Sequence, residues 1–530
     1  MSVRNCKALA VGAALLLVGA CTNLTVEPKS TVTEANIFND PASYRSFIAK
    51  AYAGLAVGGQ DGGDGRTDIQ GIDGGFSQYL RLYWEHQELP SDEAIIAWGD
   101  DGLPALIQST WSSTNPFVNA MYYRVYFQVG IANEFLRQTT DEKLASRGQT
   151  SAALKAEVAT YRAEARFLRA LSYWHGIDLF GNIPLVKETD ALGATPPPQA
   201  TRAQVYDFIV SELTAIQGSL PAPGPTSYGR ATGPAASMLL AHVYLNAGVY
   251  TGTTNYAGAL AAAQAAIAGP YTLDPSYIHM FQADNNTSPE LIYAVPEDGL
   301  KTQTYGSTNF LIHASCGGNV NPANFGVDGC WYGLRMKPET YNRATGVTAD
   351  HPAGDNRTSY FFSSGQTVAV TSIGNFNNGI LAPKFTNKTS TGATGSHTGF
   401  VDTDFPIFRL ADAYLIYAEA VLRGGGGSAG QALTYVNALR QRAYGNTSGN
   451  ITAGQLTLQF ILDERGRELL WEGQRRMDLI RFGVFTGGTY LWAWKGGQLA
   501  GTATDTHLNL FPIPANELAA NPNMHQNPGY

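Results

Sequence analysis

The sequence predicts a mainly α protein: tetratricopeptide-like helix pairs form a scaffold, and a long loop-rich insert with short β-strands interrupts it. Three observations carry that expectation. Apolar residues recur at helical spacing in Phe167, Leu171 and Trp174 (i, i+4, i+7) and in Leu410, Tyr414, Tyr417 and Val421 (i, i+4, i+7, i+11). Glycine and proline punctuate these segments so that helices fall in pairs. Between about Asp284 and Asp404 the helical spacing fades, and glycine, asparagine, threonine and aromatics take over.

In chain order, Asp40-Pro41 opens a helix over 41–56. A glycine- and aspartate-rich loop follows from Gly58 to Gly75. Helices are predicted over 116–138 and 152–180; in the second, Arg162, Arg166 and Arg169 form the stripe opposite the apolar one. Gly181-Asn182-Ile183-Pro184 ends it. Pro196-Pro197-Pro198 is a stiff connector. Thr201 then caps a helix that runs to about Gly218, with Gln204 three residues on completing a capping box. Segments 234–246 and 256–268 form a pair in which small and tyrosine positions alternate, as in tetratricopeptide hairpins, without a repeat of fixed period. Strands are expected at 291–295 and 367–371. Helices resume at 408–422, break at Gly424 to Gly427 and continue at 430–444. The last long helix, 456–482, is expected to be bent or interrupted near Gly466 or Gly473, and the tail 509–530 to be extended. The organisation is a leader (1–20), an N-terminal helical region (21–222) and a larger region (223–530) holding the insert of about 284–404 and the closing helices.

The leader is an export signal. Arg4 and Lys7 precede an apolar run from Ala8 to Ala20, and small residues stand just before Cys21. That run is too short to span a bilayer, which takes about 20 helical residues. A cysteine after small residues is the pattern of a bacterial lipoprotein, so Cys21 is the expected lipidation site. Thr22 favours the outer membrane, since an acidic residue there would point to inner-membrane retention. Charged residues are 15% and hydrophobic ones 44% of the 530, a globular balance. The net charge of -8 argues against nucleic acid. Cys316 and Cys330 are expected to form a disulfide, because exported compartments are oxidising. A metal site there would have only His313 nearby as a further ligand.

No catalytic motif stands in the right context. Gly426-Gly427-Ser428-Ala429-Gly430 matches a nucleophile-elbow string, but a helix and not a strand precedes it, so it reads as a linker. The acidic groups Asp61, Asp64, Asp68; Asp92, Glu93; Asp100, Asp101; and Asp402, Asp404 read as solvated loop carboxylates, with calcium left open. Mixed charges from Asp463 to Arg481 read as intrahelical and cross-helix ion pairs, with Asp463/Arg467 and Glu472/Arg476 at i, i+4. The functional signal is aromatic. Trp84, Trp98, Tyr305, Trp331 and Tyr332 stand among glycine, asparagine and aspartate. A pyranose has an apolar face that stacks on such rings, and its hydroxyls suit Asp100, Asp101 and Asn309.

Several segments together resemble the SusD/RagB family of outer-membrane nutrient-binding lipoproteins. They are 24–38 (LTVEPKSTVTEANIF), 89–98 (LPSDEAIIAW), 161–186 (YRAEARFLRALSYWHGIDLFGNIPLV), 229–246 (GRATGPAASMLLAHVYLN), 408–420 (FRLADAYLIYAEA), 436–443 (VNALRQRA), 463–483 (DERGRELLWEGQRRMDLIRFG), 510–514 (LFPIP) and 526–530 (QNPGY). The resemblance implies a non-enzymatic helical scaffold with a loop-built ligand face. It implies a cell-surface protein that captures oligosaccharides, or in some members peptides, for a SusC-type TonB-dependent transporter. A secreted glycosidase is the less favoured alternative. Only the aromatic platform carries over in kind, onto Trp98 and onto Trp331-Tyr332. The Cys316/Cys330 pair is not part of the family pattern.

Overall fold

The computed structural model describes residues 37–193 and 195–530. The expected export signal and the expected lipidation site, Cys21, lie outside the described residues. Among these, seventeen helices and six short strands are present, the mainly α class that the spacing predicts.

The first part runs α1 (Ala42–Ala56), α2 (Tyr79–Glu88), β1 (Ala94–Ile96), α3 (Leu103–Gln108), α4 (Pro116–Gln138), α5 (Asp141–Ser146), α6 (Ala152–Phe180), β2 (Ile183–Pro184), β3 (Gln199–Ala200) and α7 (Arg202–Ile216). Local chemistry sets the ends. The Asn115 side chain accepts from the N–H groups of Phe117 and Val118 at the start of α4, with Pro116 at the first helical position. Thr201 and Gln204 form the expected capping box at α7. Helix α6 packs on both α4 and α7, and its Phe167, Leu171 and Trp174 are buried. Its arginine stripe is not a solvated face. Arg169 is buried and donates to Asn133 of α4, to Glu188 and to Glu212 of α7. The stripe is the polar seam that docks the three helices.

The chain continues with α8 (Gly233–Leu245), α9 (Ala247–Thr251), α10 (Tyr256–Ile267), β4 (Leu291–Val295), α11 (Ser307–Ala314), β5 (Leu334–Met336), α12 (Pro338–Thr345), β6 (Phe405–Arg409), α13 (Leu410–Leu422), α14 (Ala429–Tyr444), α15 (Leu458–Glu468), α16 (Arg475–Arg481) and α17 (Ala515–Ala520). The scaffold is a succession of neighbours: α7 touches α8, α8 packs on α10, α10 on α13 and α13 on α14. Buried alanines in α8 and α10 (Ala235, Ala236, Ala259, Ala263) are the small side chains that let helix axes approach closely.

Several expectations are corrected. Segment 367–371 is not a strand; Thr367 only bridges Asn378. The insert is not free of helix, since α11 and α12 lie in it, each too short for a periodic pattern to stand out. The tail contains α17. The last long helix is interrupted as expected, into α15 and α16, parted where Gly473 takes φ +77, a backbone region that favours glycine. Its charges make the expected cross-helix ion pairs but not the i, i+4 ones. Glu468 is buried and meets Arg409 at 2.6 Å, Arg357 at 2.9 Å and Arg442. Glu472 meets Arg409 at 2.7 Å and Lys384 at 2.6 Å. Burial alone would raise the Glu468 pKa, but the guanidiniums of Arg442, Arg409 and Arg357 override it and hold the carboxyl well below its ordinary range. Asp92, Glu93 and Asp404 are likewise buried and not solvated. Asp92 meets Arg475 at 2.8 Å and Arg343, and Asp404 accepts from the Tyr228 hydroxyl.

The strands form three two-stranded antiparallel ladders, β1 with β5, β2 with β3 and β4 with β6. The first pairs Ala94 with Met336, Ile95 with Arg335 and Ile96 with Leu334. The Ala97 N–H extends it to the Gly333 carbonyl at 3.0 Å. This ladder fastens the insert to the N-terminal part.

Candidate ligand-binding site

The β1–β5 ladder builds the site. Trp98 follows β1 and Trp331 precedes β5, so the antiparallel register brings both to one end of the ladder. The Trp98 indole donates from Nε1 to the Trp331 carbonyl at 3.0 Å, and the ring centroids lie 6.4 Å apart at 46°. Gly333 makes the room, since a Cβ there would meet Trp98 Cζ2 at 2.8 Å. Trp331 is itself braced. Its N–H donates to the His313 carbonyl at 2.8 Å, and the Gly333 N–H donates to the Ala314 carbonyl at 2.8 Å. Its ring stacks on the His313 imidazole with centroids 4.7 Å apart. The preceding residue, Cys330, is disulfide-bonded to Cys316, with Cα atoms 4.8 Å apart. Tyr305 stands edge-on to Trp331 at 5.7 Å and stacks on Phe400 at 5.7 Å.

The floor comes from α2. The Arg81 guanidinium lies among the rings of Phe310 (4.3 Å), Phe76 (4.6 Å) and Trp98 (5.4 Å). It donates through Nη1 to the Gly75 carbonyl at 2.8 Å and the Tyr305 carbonyl at 3.1 Å. Its Nη2 is buried with no hydrogen-bond partner among the described residues. Glu85, one turn on, holds Arg81 Nε at 3.1 Å, and burial pushes its carboxyl up to about 7. The result is a cleft of about 850 Å³ walled by Phe76, Trp98, Tyr305 and Trp331, with the carboxylates of Asp64, Asp73 and Asp100 and the Arg81 cation among its lining. Flat rings beside carboxylate acceptors and the Arg81 and Tyr305 donors suit a ligand with apolar faces and many hydroxyls. Glu85, whose carboxyl burial lifts to about 7, does not line the cleft.

Of the residues named from the sequence, Trp98, Asp100, Tyr305 and Trp331 come together here. Asp101 lines an adjoining depression that shares Gly99 and Asp100 with the cleft. Asn309 is only 2% exposed and lies outside the cleft wall; its Nδ2 donates to the Thr304 carbonyl at 2.9 Å, so it fixes the turn that presents Tyr305. Tyr332 also lies outside the cleft wall, packed against Phe376. Trp84 is not a loop residue. It is 1% exposed inside α2, all ten residues of which are buried, and its Nε1 donates to the Trp471 carbonyl at 3.0 Å. Sequence reasoning missed Phe76, Arg81 and Asp73. The available signal was an arginine set in the aromatic segment that follows the glycine- and aspartate-rich loop. Among the described residues no group of three or more His, Cys, Asp or Glu side chains could hold a metal ion. None of their helices is long and apolar enough to cross a membrane.

Comparison with known proteins gives a consistent set of similarities. Residues 253–530 match the family described as SusD family, and residues 92–245 the one described as starch-binding associating with outer membrane. The starch-binding protein SusD of Bacteroides thetaiotaomicron is 35% identical, covering 93% of this chain and 94% of its own length. SusD-like protein P2 of Formosa agariphila is 26% identical, covering 97% of this chain and 98% of its own. Among solved structures, surface glycan-binding protein A of Bacteroides thetaiotaomicron, in complex with laminarihexaose, superposes with a TM-score of 0.69 at 21% identity, covering 92% of this chain and 99% of that one.

Proposed function

Because this chain belongs to the SusD family, we propose that it is a non-enzymatic, cell-surface glycan-binding protein whose cleft takes starch-type α-glucan oligosaccharides. The single observation that carries the reading is the ring wall. Trp98, Trp331 and Tyr305 present faces at 46° and 84° to one another, a curved platform that suits the bent path of an α-linked glucan. The 35% identity to a starch-binding protein supports the starch type. Carboxylates and Arg81 at the wall would take the sugar hydroxyls. On this reading Cys21 carries the lipid that holds the protein at the outer membrane, and captured sugar passes to a SusC-type TonB-dependent transporter. Membership in the family supports both steps.

Isothermal titration of the purified protein against maltooligosaccharides, laminarin oligosaccharides and mixed peptides tests the ligand. Binding of the α-glucan with loss of affinity in Trp98→Ala and in Trp331→Ala is expected. Peptide-only binding overturns the sugar assignment, and unchanged affinity in both variants overturns the site. Mass spectrometry of Cys21 and co-purification with a transporter test the remaining steps.

A further inference from the structure

We propose a second sugar-stacking subsite outside the cleft, centred on Tyr332, that engages a glucan chain continuing past Trp331; it rests on the cleft reading given above. Tyr332 is 50% exposed. Its ring does not plug a loop. It stands at 62° on Phe376 with centroids 5.2 Å apart, and Phe376 in turn packs on a separate small core of Cys316, Val320 and Leu381. Gly317 lets both rings sit down, because a Cβ there would come within 2.6 Å of Phe376 and 2.8 Å of Tyr332. The residue therefore has a fixed base and stays half exposed.

The backbone points the same way. Tyr332 takes φ +54, in the left-handed region that a bulky residue enters only at a cost. The strain is held by its N–H, which donates to the Cys316 carbonyl at 3.1 Å, and by the Cys316–Cys330 bond beside it. An exposed ring on a strained, braced mount is what stacking recognition needs and what core packing does not. Asn375 and Asn377, both exposed, flank Phe376 with short amides suited to hydroxyls.

Continuity with the cleft names the occupant. Trp331 and Tyr332 are successive residues, with Cα atoms about 3.8 Å apart. Trp331 packs on Trp98, Tyr305 and His313, whereas Tyr332 packs on Phe376, so the two rings serve two sides of one backbone edge. A short oligosaccharide in the cleft does not reach Tyr332. A longer chain that bends over 331–332 does.

The test compares maltotriose with amylopectin, each titrated into the wild type, Tyr332→Ala, Tyr332→Phe and Trp98→Ala; laminaritriose and laminarin replace them if the cleft proves to prefer β-glucan. Thiol titration establishes that each variant keeps its disulfide. Tyr332→Ala should weaken polymer binding about 2- to 10-fold, the worth of one ring contact, and leave the trisaccharide unchanged. Tyr332→Phe should keep polymer affinity, and Trp98→Ala should weaken both ligands. Wild-type polymer affinity in Tyr332→Ala overturns the subsite while the cleft stands. An equal loss for both ligands overturns it too, since the ring would then act through the cleft. If Trp98→Ala weakens neither ligand, the cleft reading itself fails.

Discussion

Replacing Gly333 with alanine disturbs the cleft through a single methyl group. Gly333 is not among the residues with positive φ, so alanine suits the backbone and the effect is steric. The new Cβ would lie 2.8 Å from Cζ2 and 2.9 Å from Cε2 of Trp98, and 3.2 Å from the Ala314 Cβ. Non-bonded carbons settle at about 3.5–4.0 Å, so the indole must retreat by roughly 1 Å. Cε2 is bonded to Nε1, whose hydrogen bond to the Trp331 carbonyl is 3.0 Å long; that bond stretches and fails, at about 0.5–1.5 kcal/mol. Overpacking adds about 1–3 kcal/mol of destabilisation. One displaced platform ring should lower glucan affinity by about 0.5–1.5 kcal/mol, or 2- to 10-fold. Calorimetric titration reads the affinity and urea unfolding the stability. A double-mutant cycle with Trp98→Ala should be non-additive, because both changes act on one ring. A Gly333→Ala protein with wild-type affinity and stability would refute the wedge.

Three further outcomes are expected. Burial lifts the Glu85 carboxyl from 4.5 to about 7, so the folded state holds its proton more tightly than the unfolded chain. Its stabilising contribution is complete below pH 4.5 and is lost as pH rises towards 7. Glu85→Gln should thus remove about 3 kcal/mol of pH dependence across that window; parallel urea-stability profiles for the two proteins would contradict this. Arg409→Met leaves the buried carboxylates of Glu290, Glu468 and Glu472 without their shared cation and should cost about 3–5 kcal/mol, which an unchanged unfolding midpoint would disprove. The paired change Cys316→Ala with Cys330→Ala opens a loop of sequence separation 14, worth about 3 kcal/mol. Hydrogen exchange over 316–333 should accelerate, and retained protection would count against the disulfide as the brace of Trp331.

Long elements were legible because their signals are local. The bounds of α4 and α6, the Thr201–Gln204 cap of α7 and strand β4 follow from proline, glycine and apolar spacing alone. The failures at Trp84 and among the acidic groups share a cause, which is tertiary burial. Helix α2 is short and buried all round, its polar residues as deep as its apolar ones, and its Trp84 passes for a loop aromatic. Asp92 and Glu93 look solvated because their partners, Arg343 and Arg475, lie hundreds of positions away. The site was half visible. Trp98 and Trp331 announce themselves as rings among glycine and aspartate, but Arg81 and Phe76 enter the cleft only once the β1–β5 register is known.

That register also governs when binding becomes possible during biogenesis. Trp98 and the carbonyl it grips are 233 positions apart, which at about 5–20 residues per second separates their emergence from the ribosome by roughly 10–50 s. A nascent chain that carries Trp98 alone has one wall of a recess and no grip on a sugar. Recognition waits on a distant partner, arriving only when the far strand returns to close the ladder.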